Sequence, residues 1–87
     1  MAVDEDRLLV VLTEFRDSLA SHRQTMAEQV AVMERSYTAL RGAVAGRAAE
    51  EFLQRSRRSR DAFAAYDTAV REITAVLTER IEALRGT

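Results

Sequence analysis

Three features of this sequence have residue types that could do chemistry: one histidine, one pair of adjacent glutamates and one run of arginines. His22 could serve as a general base or a metal ligand. A base needs an orienting partner and a metal needs further ligands. The sequence has neither His-X-X-His nor Glu-X-X-His spacing, so a lone histidine has no second ligand beside it. His22 therefore reads as a residue of a helix seam that hydrogen-bonds across to a neighbouring helix. Glu50 and Glu51 point in two directions on a helix and form no catalytic pair. There is no Gly-rich phosphate loop, no Cys/His pair and no Ser/His/Asp set. No enzyme activity, catalytic residue, metal or cofactor is expected.

The run Arg55-Ser56-Arg57-Arg58-Ser59-Arg60 could meet an acidic partner or nucleic acid. Four arginines make few phosphate contacts, and no aromatic is interleaved for base stacking. The run reads as a solvated helix face, with Arg57 paired to Asp61 or facing acidic residues of a partner helix. No nucleic acid is expected.

The elements that position these residues are helices. The chain has 87 residues, enough for a single domain (residues 1–87), and no proline. All 13 basic residues are arginine, and the net charge of −1 supplies no bulk field toward nucleic acid or anionic membrane. Cysteine is absent, which excludes disulfides and thiolate chemistry. The longest apolar run, Leu8 to Leu12, is far too short for a membrane span or a signal-peptide core. No membrane insertion and no conventional N-terminal signal are expected.

Leu8, Leu12, Phe15, Leu19, His22, Met26, Gln29, Met33, Tyr37 and Leu40 follow one another mostly at steps of three and four, which predicts a helix over about residues 4–41. Asp4 is its expected cap, with Glu5 and Asp6 in the first turn. Ala49, Phe52, Ser56, Ser59, Phe63, Tyr66, Val70, Ile73, Leu77, Ile81 and Leu84 predict a second helix over about residues 47–85. Between them Gly42 and Gly46 mark a turn over about residues 42–46, because glycine is the cheapest residue at positive φ. The fold class is all-α, an antiparallel hairpin of two long helices.

A reversal near Val44 and Ala45 makes positions summing to 88 or 89 face one another. His22 then meets Tyr66, Gln29 meets Ser59, Met26 meets Phe63 and Leu19 meets Val70. Polar seam residues fall opposite polar ones. The expected seam and dimer interface comprise Leu8, Leu12, Phe15, Leu19, Met26, Met33, Phe63, Val70, Ile73 and Leu77. Phe15, Leu19, Met26, Phe63, Val70 and Ile73 are expected to be the most buried. Leu9, Val11, Val32, Leu53, Val76 and Leu77 widen the stripes beyond what one helix pair covers. Closing two hairpins into a four-helix bundle would cover that excess.

The turn resembles that of the WXG (Trp-X-Gly) family, the small helical hairpins of type VII (ESX) secretion. Leu40 stands four residues before the motif, Gly46 takes the motif glycine, Ala48 and Ala49 the small pair, and Phe52 the following aromatic. Val44 stands where the family has Trp. The resemblance implies a homodimer, or a heterodimer with a sister hairpin. It implies a secreted substrate, or the partner of one, with a larger secreted effector or the secretion ATPase as further partners. It also implies a protein that is cytoplasmic before export. The family's C-terminal Tyr-X-X-X-Asp/Glu signal is not matched: Arg41 follows Tyr37 and Val70 follows Tyr66 at that spacing, and no such tail is present. Export is thus expected only with a partner that carries the signal. The alternative is a cytosolic helical adaptor or chaperone-like interaction protein unrelated to secretion, whose turn meets the same packing needs.

Overall fold

A computed structural model describes residues 4–43 and 46–86. Two helices of equal length, α1 (Glu5–Ala43) and α2 (Arg47–Arg85), run antiparallel as a hairpin about 65 Å long, and no strand occurs among the described residues. Asp4 begins α1 as expected: its Oδ1 accepts the Arg7 amide at 3.1 Å and its carbonyl accepts the Leu8 amide at 2.9 Å. The first bond satisfies an amide that a helix start would leave orphaned, and the second is the first intrahelical bond. Helix α2 ends at Arg85, and the Gly86 amide donates to the Glu82 carbonyl at 2.9 Å.

The turn is tighter than glycine spacing suggests. Helix α1 continues through Gly42 to Ala43, so Gly42 is a helical residue and not part of the break. Among the described residues Gly46 alone has positive φ, at 80°, with ψ −143°, and it stands at the start of α2. Its carbonyl accepts the Glu50 amide at 3.2 Å. Gly42, being helical, costs α1 only its propensity penalty. Val44, the turn-motif residue at the Trp position, lies outside the described residues, as does Ala45.

The helices face each other along a strip rotated from the one expected. Among the described residues Ile81 (0 % exposed), Val70, Leu77 and Ser56 are buried, all on α2. Leu12, Leu19, Met26 and Phe63 are half-buried, as seam residues with one side open. Phe15 (49 % exposed) and Ile73 (42 %) are not core residues, which corrects their expected burial, and Leu8 and Met33 are exposed as well. Their places are taken by the residues one position along. On α1 these are Leu9, Arg16, Arg23, Val30 and Tyr37, all half-buried; on α2 they are Leu53, Asp67, Thr74 and Ile81. Leu77 and the half-buried Leu9 and Leu53 thus belong to the strip and not to the exposed excess, where Val11, Val32 and Val76 remain. The physical reason is the width of the stripes. Each helix carries apolar residues on both sides of the shared line Leu12–Leu19–Met26 or Phe63–Val70–Leu77, and one neighbour can cover only one side. The side chosen can also make two cross-helix ion pairs, Arg23 with Asp67 and Arg60 with Glu34.

Candidate interaction face

His22 and Tyr66 meet across the hairpin. The imidazole Nδ1 and the tyrosine hydroxyl are hydrogen-bonded, and the rings pack edge to face with centroids 5.4 Å apart. The hydroxyl donates when the ring proton is on Nε2, and Nδ1 donates when the proton is on Nδ1. The Phe63 ring also meets Tyr66, tilted to it by 42° with centroids 6.2 Å apart. The polar partners inferred from register are thus in contact. The hydrogen bond and the ring contact tie His22 to Tyr66 and help fix the alignment of the two helices.

This pair lies within a continuous apolar face. Leu8, Phe15, His22 and Gln29 recur every seven residues along α1, and Phe52, Ser59, Tyr66 and Ile73 do so along α2. A seven-residue repeat keeps residues on nearly one side of a helix. Two shallow grooves join these rows. One is lined by His22, Met26, Gln29, Met33, Phe63 and Tyr66. The other, nearer the turn, is lined by Met33, Tyr37, Leu40, Phe52, Arg55 and Ser56. Met33 belongs to both, so the grooves are continuous. Phe52 is 44 % exposed, and Val11 and Val76 extend the face one helical turn from Phe15 and Ile73.

The opposite face is polar and internally paired. Asp67 accepts from Arg23 across the hairpin and is ion-paired with Arg71 on its own helix at 3.1 Å. The hydrogen bond from Arg23 holds the Asp67 carboxyl below its usual value, against the opposing effect of partial desolvation, with the charges of Arg23 and Arg71 adding to the lowering. The same bond raises the Arg23 guanidinium. Arg60 donates to Glu34 at 2.8 Å, and no Arg57–Asp61 pair forms among the described residues. Sequence reasoning did not single out Arg23 and Asp67. The register that sets His22 against Tyr66 places residue 65 or 66 opposite Arg23, and the pair with Asp67 forms because the arginine side chain reaches to the neighbouring position.

The residues of the turn motif separate. Leu40 and Phe52 line the apolar groove, whereas Gly46 and Ala49 border a polar recess on the other side with Tyr37, Arg41, Leu53 and Arg57. No cluster of three metal-ligating side chains occurs among the described residues, and neither helix is long and apolar enough to cross a membrane. The arrangement can associate with another apolar helical surface. No family model matches the chain, and no curated protein or solved structure is significantly similar to it.

Proposed function

We propose that this chain is a non-enzymatic, WXG-like helical-hairpin subunit of a type VII (ESX) secretion system, a secreted substrate or the partner of one, acting as a dimer. The observation that carries this reading is the two-sidedness of the hairpin. One face carries Leu8, Phe15, Met33, Leu40, Phe52 and Ile73 exposed along its whole length, and the other carries the ion pairs. A hairpin with four buried residues among those described has little core to offset its ordering entropy, and a second hairpin on the apolar face would supply the missing half. The positive-φ glycine at residue 46 supports the resemblance at the turn.

The test has two parts. Mass in solution is measured for the protein alone and with a hairpin encoded beside it, and a dimeric species is expected in at least one case. An epitope-tagged copy is then expressed with a type VII apparatus, with and without that partner. Export is expected only with the partner, since Val44 offers far less apolar surface than Trp and neither Tyr37 nor Tyr66 has an acidic residue four positions on. Export of the lone protein would show that it holds a complete signal. Retention in both cases would favour a cytosolic adaptor.

A further inference from the structure

The polar face, opposite the apolar one, holds two recesses of the same construction. Toward the open end, Arg23 of α1 and Arg71 of α2 flank a floor of Ala20, Val70 and Ala75. At the turn, Arg41 of α1 and Arg57 of α2 flank Gly46 and Ala49. Each recess therefore takes one arginine from each helix, with small or apolar residues between them.

The charges in each recess do not balance. Arg23 and Arg71 share one carboxylate, that of Asp67. Arg41 and Arg57 have Glu50 beside them, and neither forms an ion pair among the described residues. Two guanidinium groups against one carboxylate leave +1 at each place, although the whole chain is net −1. Arg60, which lies between the recesses, is matched by Glu34. Each recess is thus short of one carboxylate, and the stretch between them is not.

Spacing defines what could supply both. Arg57, Ala64 and Arg71 recur every seven residues along α2, and Ala20, Ala27, Glu34 and Arg41 do so along α1, so each set keeps to one side of its helix. Arg57 and Arg71 are 14 residues apart and Arg23 and Arg41 are 18 apart, which is ~21 and ~27 Å of helix, so the recess centres stand ~24 Å from one another. A straight α-helix covers that distance in ~16 residues. Ala27 and Ala64 lie between the recesses and let such a helix approach closely. Nucleic acid fits this pattern poorly. A duplex carries one charge per ~1.7 Å and would lay phosphates against Glu34, Glu50 and Asp67 as well.

We infer that the polar face is a docking surface for an acidic α-helix of another protein, which places one carboxylate in each recess, ~16 residues apart. The inference does not depend on what covers the apolar face, because the two faces lie on opposite sides of the hairpin. Paired guanidinium–carboxylate bonds at two fixed places set the register of the bound helix more than they add affinity.

The probe is a helix-stapled peptide of about 24 residues, otherwise alanine and glutamine, with one glutamate near each end about 16 residues apart. A control peptide of the same composition has both glutamates within one turn. Fluorescence anisotropy measures binding of each to the full chain at about 0.05 M salt, where screening is weak. The spaced peptide is expected to bind with a Kd below ~1 mM and at least about threefold more tightly than the control. Arg57→Gln and Arg71→Gln, at exposed positions, are each expected to raise its Kd by about threefold or more. Arg58→Gln makes the same charge change on the outward side of α2 and is expected to leave the Kd unchanged. Circular dichroism checks that each variant is folded, and the comparison of the two peptides on the native chain needs no variant. Equal binding of the two peptides, or an equal loss with Arg58→Gln, would mean a diffuse field and would overturn the inference. No binding of the spaced peptide at ~1 mM would do the same. Tighter binding of a single-stranded oligonucleotide than of the spaced peptide would make the partner a nucleic acid. A mass that keeps growing with the concentration of the chain alone, and that Arg57→Gln arrests, would make the occupant a second copy and also overturn the inference.

Discussion

At the scale of single residues, Ile81 and Phe15 show what burial means in a two-helix protein. Ile81 is fully enclosed, whereas Phe15, the larger side chain, is half exposed. Ile81→Ala should destabilise the fold by ~2–5 kcal/mol through lost transfer energy and the cavity left behind. Urea denaturation at a concentration where the chain is monomeric checks this, and Phe15→Ala under the same conditions should cost clearly less. Asp67 provides a pH-dependent contribution. Its carboxyl titrates lower in the folded hairpin than in the unfolded chain because Arg23 hydrogen-bonds the charged form. The stabilisation is therefore complete above the ordinary carboxylate value of ~3.9 and is lost as pH falls through the lowered value. The difference in denaturation midpoint between the native chain and Asp67→Asn should be largest above about pH 5 and should shrink toward pH 2. A difference independent of pH would show that the ion pair contributes nothing.

At the scale of elements, the two glycines near the reversal have opposite roles. Gly46 has φ 80° and no neighbour within 4 Å of an added Cβ, so strain and not crowding opposes a side chain there. Gly46→Ala should cost ~1–3 kcal/mol. Gly42 lies in helical geometry near the end of α1, with nothing within 4 Å of an added Cβ. Gly42→Ala should therefore stabilise the hairpin by ~0.4–1 kcal/mol, by restricting the unfolded chain and improving helix propensity. Thermal denaturation of both variants measures the pair of opposite signs. Equal destabilisation would mean that Gly42 also takes part in the turn.

At the scale of the whole molecule, the hairpin divides lengthwise into a face with ion pairs between the helices and a face with exposed apolar side chains. A charge on the second face leaves the hairpin seam intact but must be desolvated wherever that face is covered. Phe15→Glu and Ile73→Glu should each weaken association by at least tenfold in Kd, ~1.4 kcal/mol or more, with helicity retained. Sedimentation of the variants beside the native chain reads this directly. Unchanged association would move the interface to another surface.

The helices, their order and their reversal were legible in the sequence because they depend on local properties: a three-and-four apolar rhythm, absence of proline, an aspartate cap and glycine at the turn. Register was legible as well, since a short turn leaves little freedom in which residues lie opposite, and His22 does meet Tyr66. Which side of each stripe faces the partner helix was not legible. Phe15 and Arg16 are adjacent, and apolarity alone selects Phe15 for the seam; the structure half-buries Arg16 and exposes Phe15. A helix with apolar residues on both sides of a shared line can satisfy two neighbours, and its sequence does not rank them. The choice depends on what the second helix presents at the same level, in this case the Asp67 carboxylate opposite Arg23, and that is a property of the folded pair.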